Sequence, residues 1–594
     1  MTNRAEIYDR AKVISEAILG LVALHSIIAL LAAIGFYIDE NTINLLVTTT
    51  RFSLAFFIIQ EIIRFIFYPK RSSFFVERWL EFIFSILFCA ILIFPSIIFE
   101  LIAYFAPKIT PKNASIIFLT VINIILLIIF IIKASKYTDT FLKINLHPAA
   151  IFAISFATII LIGSFMLSLP KATVDGQFTS YIDALFTSTS AVCVTGLVVE
   201  NTATHFSSFG QIIILILIQI GGLGVMTLTT FFAAMFAGGL SVRVRLLMKE
   251  YLGQLQIGGV AKLIKQIFAF TFVIEGIGAF LLYATLSETT NLPRSEIIYQ
   301  SIFHSISAFC NAGFSTFQAG LMENYIQNNA VFLIVIMLLI ILGGLGFSVL
   351  LNLSELFKYQ RGNKFKIRYK SKLRSSTKLV LLTTAILLIG GAVLIFILKP
   401  VEMYKSMTIP QQILHSFFLS VTSRTAGYNS IPSELLPIPV ALIVIFLMWV
   451  GASPGSTGGG IKTTTFSLAV LSLYNHLIGK ERIEVFHREI DQKNIHQAYL
   501  VIAANLLALS IAYFFLILFE TNKAPLDLLF ELVSAASTVG LSRNISPFLS
   551  VGGKIVIILT MFIGRVGFLN FFSAFVKPRV EPKYHYPKED ILVG

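Results

Sequence analysis

Long apolar runs recur along this 594-residue chain and decide what it can fold into. A helix needs roughly 20 apolar residues to cross the hydrocarbon core of a bilayer. Only 13% of the residues are charged, whereas a soluble protein of this size uses about 25% to cover its surface. We therefore exclude a water-soluble enzyme or nucleic-acid binder and expect an all-α polytopic membrane protein. Its twelve candidate spans are residues 13–37, 44–68, 79–105, 115–133, 150–169, 209–237, 266–287, 330–351, 378–398, 437–478 (interrupted), 497–519 and 552–576.

Lysine and arginine residues are concentrated in alternate loops between these spans. Such residues mark cytoplasmic loops, and an even number of spans places both termini on one side. With the N-terminus inside, only Lys108 and Lys112 are marked outliers. The sequence therefore predicts a multi-pass protein of the cytoplasmic (inner) membrane with cytoplasmic termini. The inside set is Lys70, Arg71, Arg78, Lys133, Lys136, Lys143, Arg243, Arg245, Lys249, Lys262, Lys265, Lys358, Arg361, Lys364, Lys366, Arg368, Lys370, Lys372, Arg374, Lys378, Lys577, Arg579, Lys583 and Lys588.

Four segments on the predicted external side share a pattern of a short apolar helix, small polar residues and one glycine. The glycines are Gly196, Gly313, Gly427 and Gly540, at spacings of 117, 114 and 113 residues. Each segment lies between two spans, so we expect a unit of helix, pore hairpin and helix that occurs four times around a central pore. The expected organisation is an extension with about four transmembrane helices (1–146), repeats at 147–262, 263–375, 376–494 and 495–576, and a tail (577–594).

A second glycine motif follows each hairpin, 24 to 30 residues after its glycine. It reads Gly221-Gly-Leu-Gly224, Gly343-Gly-Leu-Gly346, Gly451-Ala-Ser-Pro-Gly455 and Gly564-Arg-Val-Gly567. Glycines in membrane helices usually allow close helix packing, and we expect that role for the first two motifs. Two landmarks in register support the fourfold repeat.

A single glycine after a short pore helix indicates an ion filter. Non-helical backbone at membrane depth is tolerated only where it is buried in protein or lines water. Glycine adopts positive φ at little cost, which lets successive carbonyls replace the hydration shell of a cation. No acidic ring accompanies the glycines, which argues against a divalent-cation filter; ordinary turns are the weaker alternative. The candidate filter residues, whose backbone carbonyls would bind the ion, are Val194, Thr195, Gly196, Asn311, Ala312, Gly313, Thr425, Ala426, Gly427, Thr538, Val539 and Gly540.

The tenth span carries too many helix breakers to stay a straight helix. Its breakers are Gly451, Pro454, Gly455, Gly458, Gly459 and Gly460. We expect a flexible plug below the filter, with a kinked packing helix as the alternative. Arg565 lies within the last span and Lys462 at the inner end of the break, so both are candidates for donors to the freed carbonyls. Glu275, inside the seventh span, is either a packing partner or part of the ion path.

The hairpin segments, residues 191–196, 309–315, 423–429 and 537–541, resemble the four filter segments of the Trk/Ktr/HKT superfamily of potassium transporters. Residues 454–465 resemble the interrupted gating helix of that family. The resemblance covers about residues 148–576, does not extend to the first 145 residues, and identifies the membrane (pore) subunit. In that family glycine at all four filter positions goes with potassium and a serine in the first with sodium, so the resemblance implies potassium. The resemblance also implies a homodimer and a cytoplasmic nucleotide-binding regulatory ring of the TrkA/KtrA kind.

Three other classes of membrane protein are alternative interpretations of this sequence. A sodium-coupled or sodium-permeable transporter of the same fold would have the same repeats. A twelve-helix secondary transporter of two halves needs a repeat near 300 residues, which the observed period does not match. A membrane-bound transferase or hydrolase needs a catalytic cluster or a nucleotide motif, and the sequence offers neither. We therefore expect no enzyme activity and no cofactor in this chain, with K⁺ or, as the alternative, Na⁺ as the transported ion.

Overall fold

The computed structural model describes residues 2–67, 79–94, 110–135, 148–224, 260–361, 373–398, 404, 407–480, 482–573 and 587. This part of the chain is predominantly helical and has one two-stranded hairpin, which confirms the expected helical class. The helices are α1 (Thr2–Gly35), α2 (Glu40–Phe67), α3 (Trp79–Ile93), α4 (Pro111–Ser135), α5 (Pro148–Leu167), α6 (Tyr181–Val192), α7 (Ser208–Leu223), α8 (Val260–Thr289), α9 (Arg294–Phe309), α10 (Asn324–Gln327), α11 (Ala330–Leu345), α12 (Phe347–Arg361), α13 (Ser375–Leu398), α14 (Ile409–Thr422), α15 (Ile438–Trp449), α16 (Thr463–Leu477), α17 (Gln492–Phe519), α18 (Pro525–Ala536), α19 (Val551–Val566) and α20 (Phe568–Ser573); the strands are β1 (Glu484–Val485) and β2 (Arg488–Glu489).

Seven helices of the described residues are long and apolar enough to cross a membrane, and a bent pair adds an eighth. The bent pair is α11 with α12, whose axes differ by 99°. Shorter apolar helices cover Phe82–Ile93, Ser208–Leu223 and Ile438–Trp449. The seven long spans are Ala17–Gly35, Glu40–Ile66, Pro111–Phe130, Ala150–Leu167, Ile264–Thr289, Ser375–Leu398 and Gln492–Phe519.

Three predicted spans are not continuous helices. In each of them a helix ends at the last glycine of the second motif. These are the spans expected at 209–237, 330–351 and 552–576. Gly224, Gly346 and Gly567 have φ of 79°, 88° and 91°, a conformation that glycine adopts without the penalty of a β-carbon. The first two motifs were expected only to allow close packing. In the structure their last glycine also ends the helix.

The first glycine of the motif does serve close packing. A β-carbon on Gly221 would lie 2.1 Å from the Val192 carbonyl oxygen, and one on Gly343 would lie 1.9 Å from that of Phe309. The fourth motif repeats the contact, since a β-carbon on Gly564 would lie 2.1 Å from the Ala536 carbonyl oxygen. Each of these glycines thus lets a helix approach the end of the short helix before it.

In each of the first three units, one serine of the short helix donates a hydrogen bond to the long helix before it. Ser188 donates to the Ile160 carbonyl at 2.7 Å, and Ser305 donates to the Glu275 carbonyl at 2.6 Å. Ser420 makes the same bond to Leu388 at 2.8 Å. A hydroxyl that bonds a helix carbonyl is satisfied away from water, so the short helix is fixed at depth in the protein. Gly163, Gly278 and Gly391 make room for these three serines.

Helices α1 to α4 form a separate bundle that touches the rest of the chain near Lys171. The bundle has its own apolar core, which includes Leu54, Phe57 and Phe88. Lys171 Nζ donates to the Ala33 carbonyl at 2.9 Å. Burial at this contact lowers the pKa of Lys171 below its ordinary value. The bundle is therefore anchored at the loop between α5 and α6.

Most of the basic residues used for the orientation lie outside the described residues. The lysines and arginines concerned are Lys70, Arg71, Arg78, Lys108, Lys136, Lys143, Arg243, Arg245, Lys249, Lys364, Lys366, Arg368, Lys370, Lys372, Lys577, Arg579, Lys583 and Lys588, together with the side chains of Lys133, Lys262, Lys358 and Arg361.

Candidate functional site

Four short helices, α6, α9, α14 and α18, lead into the four glycine loops. Their first turns carry the acids and prolines that suit a helix N-terminus, such as Asp183 in α6 and Asp527 in α18. Helix α14 begins with a capping box, in which Thr408 and Gln411 bond each other's backbone. Each helix therefore directs the partial negative charge of its C-terminal end at the loop that follows.

All four loops share one unusual backbone conformation. The residue two places before each glycine is not a glycine yet has positive φ: 57° at Val194, 61° at Asn311, 73° at Thr425 and 51° at Thr538. The glycines follow with φ of 90° at Gly196, 69° at Gly313, 76° at Gly427 and 97° at Gly540. Positive φ at a side-chain-bearing residue costs about 1–3 kcal/mol and persists only where the surroundings impose it. The same strain at four matching positions marks these loops as the functional centre.

Backbone hydrogen bonds to the end of the short helix hold each loop in this shape. Thr195 N donates to the Ser190 carbonyl at 2.7 Å, and Ala312 N donates to that of Ser307 at 2.7 Å. The corresponding bonds join Val539 N to Ser534 at 2.8 Å and Ala426 N to Thr422 at 3.0 Å. These bonds fix the amides on the helix side, so the loop carbonyls are left to face elsewhere.

The four loops close into a ring. A β-carbon on Gly196 would lie 2.4 Å from the Ala312 carbonyl oxygen, a distance that real β-carbons essentially never reach. Each glycine makes the same contact with the next loop, and the fourth returns to the first. The remaining pairs are Gly313 with Ala426 O at 2.5 Å, Gly427 with Val539 O at 2.3 Å and Gly540 with Thr195 O at 2.2 Å. The structure thus brings all twelve sequence-predicted filter residues together.

A cavity of about 480 Å³ lies on one side of this ring. All four loop glycines line it, and its wall includes the acidic side chains of Glu200 and Glu434. The residue before each glycine is fully buried, with an exposed fraction of 0% at Thr195, Ala312, Ala426 and Val539. The ring is therefore the floor of a funnel whose acids favour cations.

The interrupted tenth span lies on the other side of the ring. Helix α15 ends at Trp449 and α16 begins at Thr463, so residues 450–462, which we call the gate loop, are not helical. A β-carbon on Gly458 would lie 2.0 Å from Thr425 Oγ1, and one on Gly459 would lie 2.4 Å from Thr538 Oγ1. Two consecutive glycines of this loop therefore lie against the side chains of two residues predicted to belong to the filter. The amide of Asn311 and the Thr425 hydroxyl are hydrogen-bonded at 3.1 Å in the same layer.

The gate loop is also bonded to the second glycine motif of the second unit. Ser453 N donates to the Gly344 carbonyl at 3.0 Å, and Phe347 N donates to the Gly455 carbonyl at 2.9 Å. These bonds join the loop to the bend between α11 and α12. The glycines of that motif are consequently a docking site for the gate loop as well as packing residues.

Three cationic side chains donate to gate-loop carbonyls. Arg565 Nη1 donates to the Thr457 carbonyl, and its Nη2 donates to the Gly221 carbonyl. Lys462 Nζ donates to the Gly458 carbonyl at 2.7 Å. The third donor is Arg424, whose Nη2 reaches the Gly451 carbonyl at 3.0 Å. Sequence reasoning missed Arg424, although an arginine in a hairpin at membrane depth is itself a functional signal.

Glu275 lies behind the ring rather than on it. Its carboxylate accepts from Gln219 Nε2 at 3.3 Å and contacts Cys310 Sγ at 3.8 Å. His304 and His415, in α9 and α14, are occupied by hydrogen bonds to neighbouring Ser315 and Ser430. In the described ranges no three histidine, cysteine or acidic side chains are grouped as ligands of a metal ion. Glu275 therefore packs between units and does not line the funnel.

Several bilayer-length helices and four short helices that end at one glycine ring define a multi-span membrane protein. The sequence profile of the TrkH family, described as cation transport protein, matches residues 120–584. The chain belongs to this family. It is 38% identical over 457 residues to the potassium/sodium uptake protein NtpJ of Enterococcus hirae, an alignment that covers 76% of this chain and 98% of that protein.

One further relative and one solved structure are also similar to this chain. The Ktr system potassium uptake protein B of Vibrio alginolyticus is 38% identical over 450 residues, which cover 75% of this chain and 94% of that protein. The crystal structure of the potassium transporter TrkH from Vibrio parahaemolyticus superposes with a TM-score of 0.56 at 17% identity, over 80% of this chain and 94% of that one. The likeness to this structure shows a common fold.

Proposed function

We propose that this chain takes up potassium across the cytoplasmic membrane through a filter of backbone carbonyls. The observation that carries the proposal is the closed ring of four loops with matching positive-φ positions. Relatives that match along nearly their whole length bear the names of potassium uptake proteins. The twelve ring residues carry no charge, so the ion is bound by dipoles and can leave again.

The physical reason for such a filter is the cost of an ion in the bilayer. A bare charge at the bilayer centre costs at least about 3 kcal/mol. Loop carbonyls at Thr195, Ala312, Ala426 and Val539 replace the ion's water, and the C-terminal ends of four short helices add partial negative charge. The membrane potential supplies about 2.3 kcal/mol per charge per 100 mV, which drives accumulation without ATP.

The gate loop closes the path below the ring in this proposal. Gly458 and Gly459 lie against Thr425 and Thr538, so the loop is in contact with two of the four filter loops. Arg565 donates a hydrogen bond to the Thr457 carbonyl of the loop. Its positive charge repels cations from the region below the ring. Opening requires the loop to leave these contacts.

The wider organisation follows the same reasoning. The four units are residues 147–262, 263–375, 376–494 and 495–576, preceded by the extension 1–146 and followed by the tail 577–594. Both termini lie in the cytoplasm, the chain forms a homodimer with one pore in each protomer, and a cytoplasmic nucleotide-binding ring controls the gate loop. The basic inside loops supply the docking surface for that ring.

Sodium permeation is the second candidate function. The Enterococcus hirae relative is named a potassium/sodium uptake protein, and the same filter architecture serves both ions. Glycine at all four ring positions favours potassium.

Ion flux in liposomes decides between these functions. Purified chain is reconstituted, and uptake of potassium, rubidium, sodium and lithium is measured under an imposed membrane potential. We expect potassium and rubidium to enter at similar rates and sodium and lithium far more slowly. Equal rates for potassium and sodium would favour the second candidate. The absence of any cation flux in both the wild type and Arg565→Ala, which is expected to open the gate, would overturn both.

A further inference from the structure

The third loop differs from the others by one residue. Ser188 and Ser305 lie eight residues before their loop glycines, whereas Ser420 lies seven residues before Gly427. Helix α14 also ends earlier, because its last residue, Thr422, lies five residues before Gly427, whereas α6, α9 and α18 end four residues before their glycines. Counted back from the glycines, Arg424 takes the position of Cys193, Cys310 and Ser537. The third loop therefore carries a cation where the other three carry small uncharged side chains.

Arg424 is buried at the junction of filter and gate loop. Only 7% of the residue is exposed, and none of the salt bridges among the described residues involves it. It lies just beyond the C-terminal end of α14, whose partial negative charge stabilises a cation. Its Nη2 donates to the carbonyl of Gly451, the second residue of the gate loop. One side chain thus connects the third filter loop to the start of the gate loop.

A small cavity lined by Arg424 has room for a second partner. Its volume is about 20 Å³, and Thr384 on α13 and Ala452 on the gate loop line it together with Arg424. Arg424 Nε and Thr384 Oγ1 are both buried and have no hydrogen-bond partner among the described protein atoms. A cavity of this size holds one water molecule, which needs two or more polar partners. The two orphaned atoms are suitable partners.

We propose that Arg424 is a positioning residue that couples the gate loop to the third filter loop, and that one bound water ties it to Thr384. This inference rests on the filter and gate proposed above. When the gate loop moves, Gly451 leaves its present position and its hydrogen bond with Arg424 breaks. The third filter loop therefore loses a constraint when the gate opens. The Arg565 bonds described above reach the middle of the gate loop and Gly221, whereas Arg424 belongs to the third filter loop itself. Ion preference should therefore depend on Arg424 and not on Arg565.

Resting flux and ion preference in liposomes, measured on the full chain, separate the two arginines. The variant Arg424→Met removes the bond to Gly451 and the proposed bond to the water. The variant Arg424→Gln is too short to reach Gly451 but keeps a donor near the position of Arg424 Nε. Arg565→Gln tests the gate, and Arg51→Gln on α2 is the matched control. We expect both Arg424 variants to raise resting flux and to lower potassium-over-sodium preference about tenfold or more, the factor of one lost hydrogen bond from a charged donor. Arg565→Gln should raise flux alone.

The outcomes distinguish the coupling from the gate. An Arg424→Met protein that leaks but keeps the wild-type preference would reduce Arg424 to a structural role and overturn the coupling. If only Arg565→Gln raises resting flux, the gate stands and the coupling fails. If neither arginine variant changes flux, the proposed gate fails as well.

Thr384→Val tests the water independently and decides the matter if the Arg424 variants do not fold. Valine has the same shape as threonine without the hydroxyl, so the Gly451 bond is kept and the water loses a partner. We expect the preference for potassium to fall about twofold, less than in Arg424→Met because one bond is weakened rather than lost. Thr158→Val, on the exposed face of α5, is the control. An unchanged preference in Thr384→Val would exclude the bridge.

Discussion

Gly540 closes the ring of loops on Thr195, more than 340 residues earlier in the chain. A β-carbon on Gly540 would lie 2.2 Å from the Thr195 carbonyl oxygen and 2.9 Å from the Gly196 Cα. The first and last units are therefore in direct contact through backbone atoms that border the funnel. Any side chain at a ring glycine moves the carbonyl of a neighbouring loop, so selectivity is a property of adjacent pairs of loops.

Gly196→Ser should relax discrimination against sodium. The serine β-carbon would meet the Ala312 carbonyl oxygen at 2.4 Å, and the backbone φ of 90° is itself unfavourable for a side-chain-bearing residue. Ala312 O must shift, which spoils the spacing of the ring. We expect the potassium-over-sodium flux ratio in liposomes to fall about tenfold, equivalent to about 1.4 kcal/mol.

Gly390→Ser is the matched control for this exchange. Gly390 lies in α13 with open space where a β-carbon would be built, and its φ is not positive. Its flux ratio should equal that of the wild type. A Gly196→Ser protein that keeps the wild-type ratio would remove the first loop from the filter.

Arg565→Ala should raise resting cation flux. The change frees the Thr457 and Gly221 carbonyls and removes a positive charge below the ring. Hydrogen bonds from charged groups are worth about 1.5–3 kcal/mol each, so we expect an increase of about tenfold or more in rubidium uptake. Arg51→Ala serves as the control for insertion and yield. Unchanged or lower flux in correctly inserted protein contradicts the gate assignment.

Gly459→Ala should also open the gate loop. The new methyl group would lie 2.4 Å from Thr538 Oγ1 and 2.9 Å from its Cγ2, so the loop must move away from the filter. We expect higher resting flux, and we expect Thr538→Ala to restore part of the closure because it removes both atoms. The double-mutant cycle gives the coupling between the two sites. Additive effects would mean that Gly459 and Thr538 are not in contact across the gate.

The sequence predicted the four loops because their glycines recur in register and because a short apolar helix with small polar residues precedes each of them. It also predicted Arg565 and Lys462 as donors, since cations at membrane depth need partners. The positive φ of Val194 and Thr538 could not be predicted, because valine and threonine normally avoid that conformation. The bonds to the end of the short helix and the contacts with the neighbouring loop together hold this conformation, and the second set joins residues far apart in sequence.

Helix ends at the second motif were missed for a similar reason. Apolar periodicity extends across Gly224, Gly346 and Gly567, and a single glycine within an apolar run is compatible with a continuous span. The end of the helix depends on what its carbonyls meet. Gly221 O accepts from Arg565, and Gly344 O accepts from Ser453 N of the gate loop. The role of Arg424 could not be predicted, because it depends on a bond to the carbonyl of Gly451, 27 residues further along the chain.

Lys554→Met should lower the stability of the contact between the last and first units. Lys554 Nζ of α19 lies 2.6 Å from Asp183 Oδ1 of α6, and the two side chains are 14% and 16% exposed. Breaking such a mostly buried pair leaves a carboxylate without its partner and costs about 2 kcal/mol here, less than the fully buried case. We expect a lower Tm in detergent, and Lys554→Met combined with Asp183→Asn should recover most of the loss. Lys493→Met, at an exposed position of α17, should leave Tm unchanged. If the single and double variants have the same Tm, lower than that of the wild type, the ion pair does not join the two units. The ring is then held by its backbone contacts.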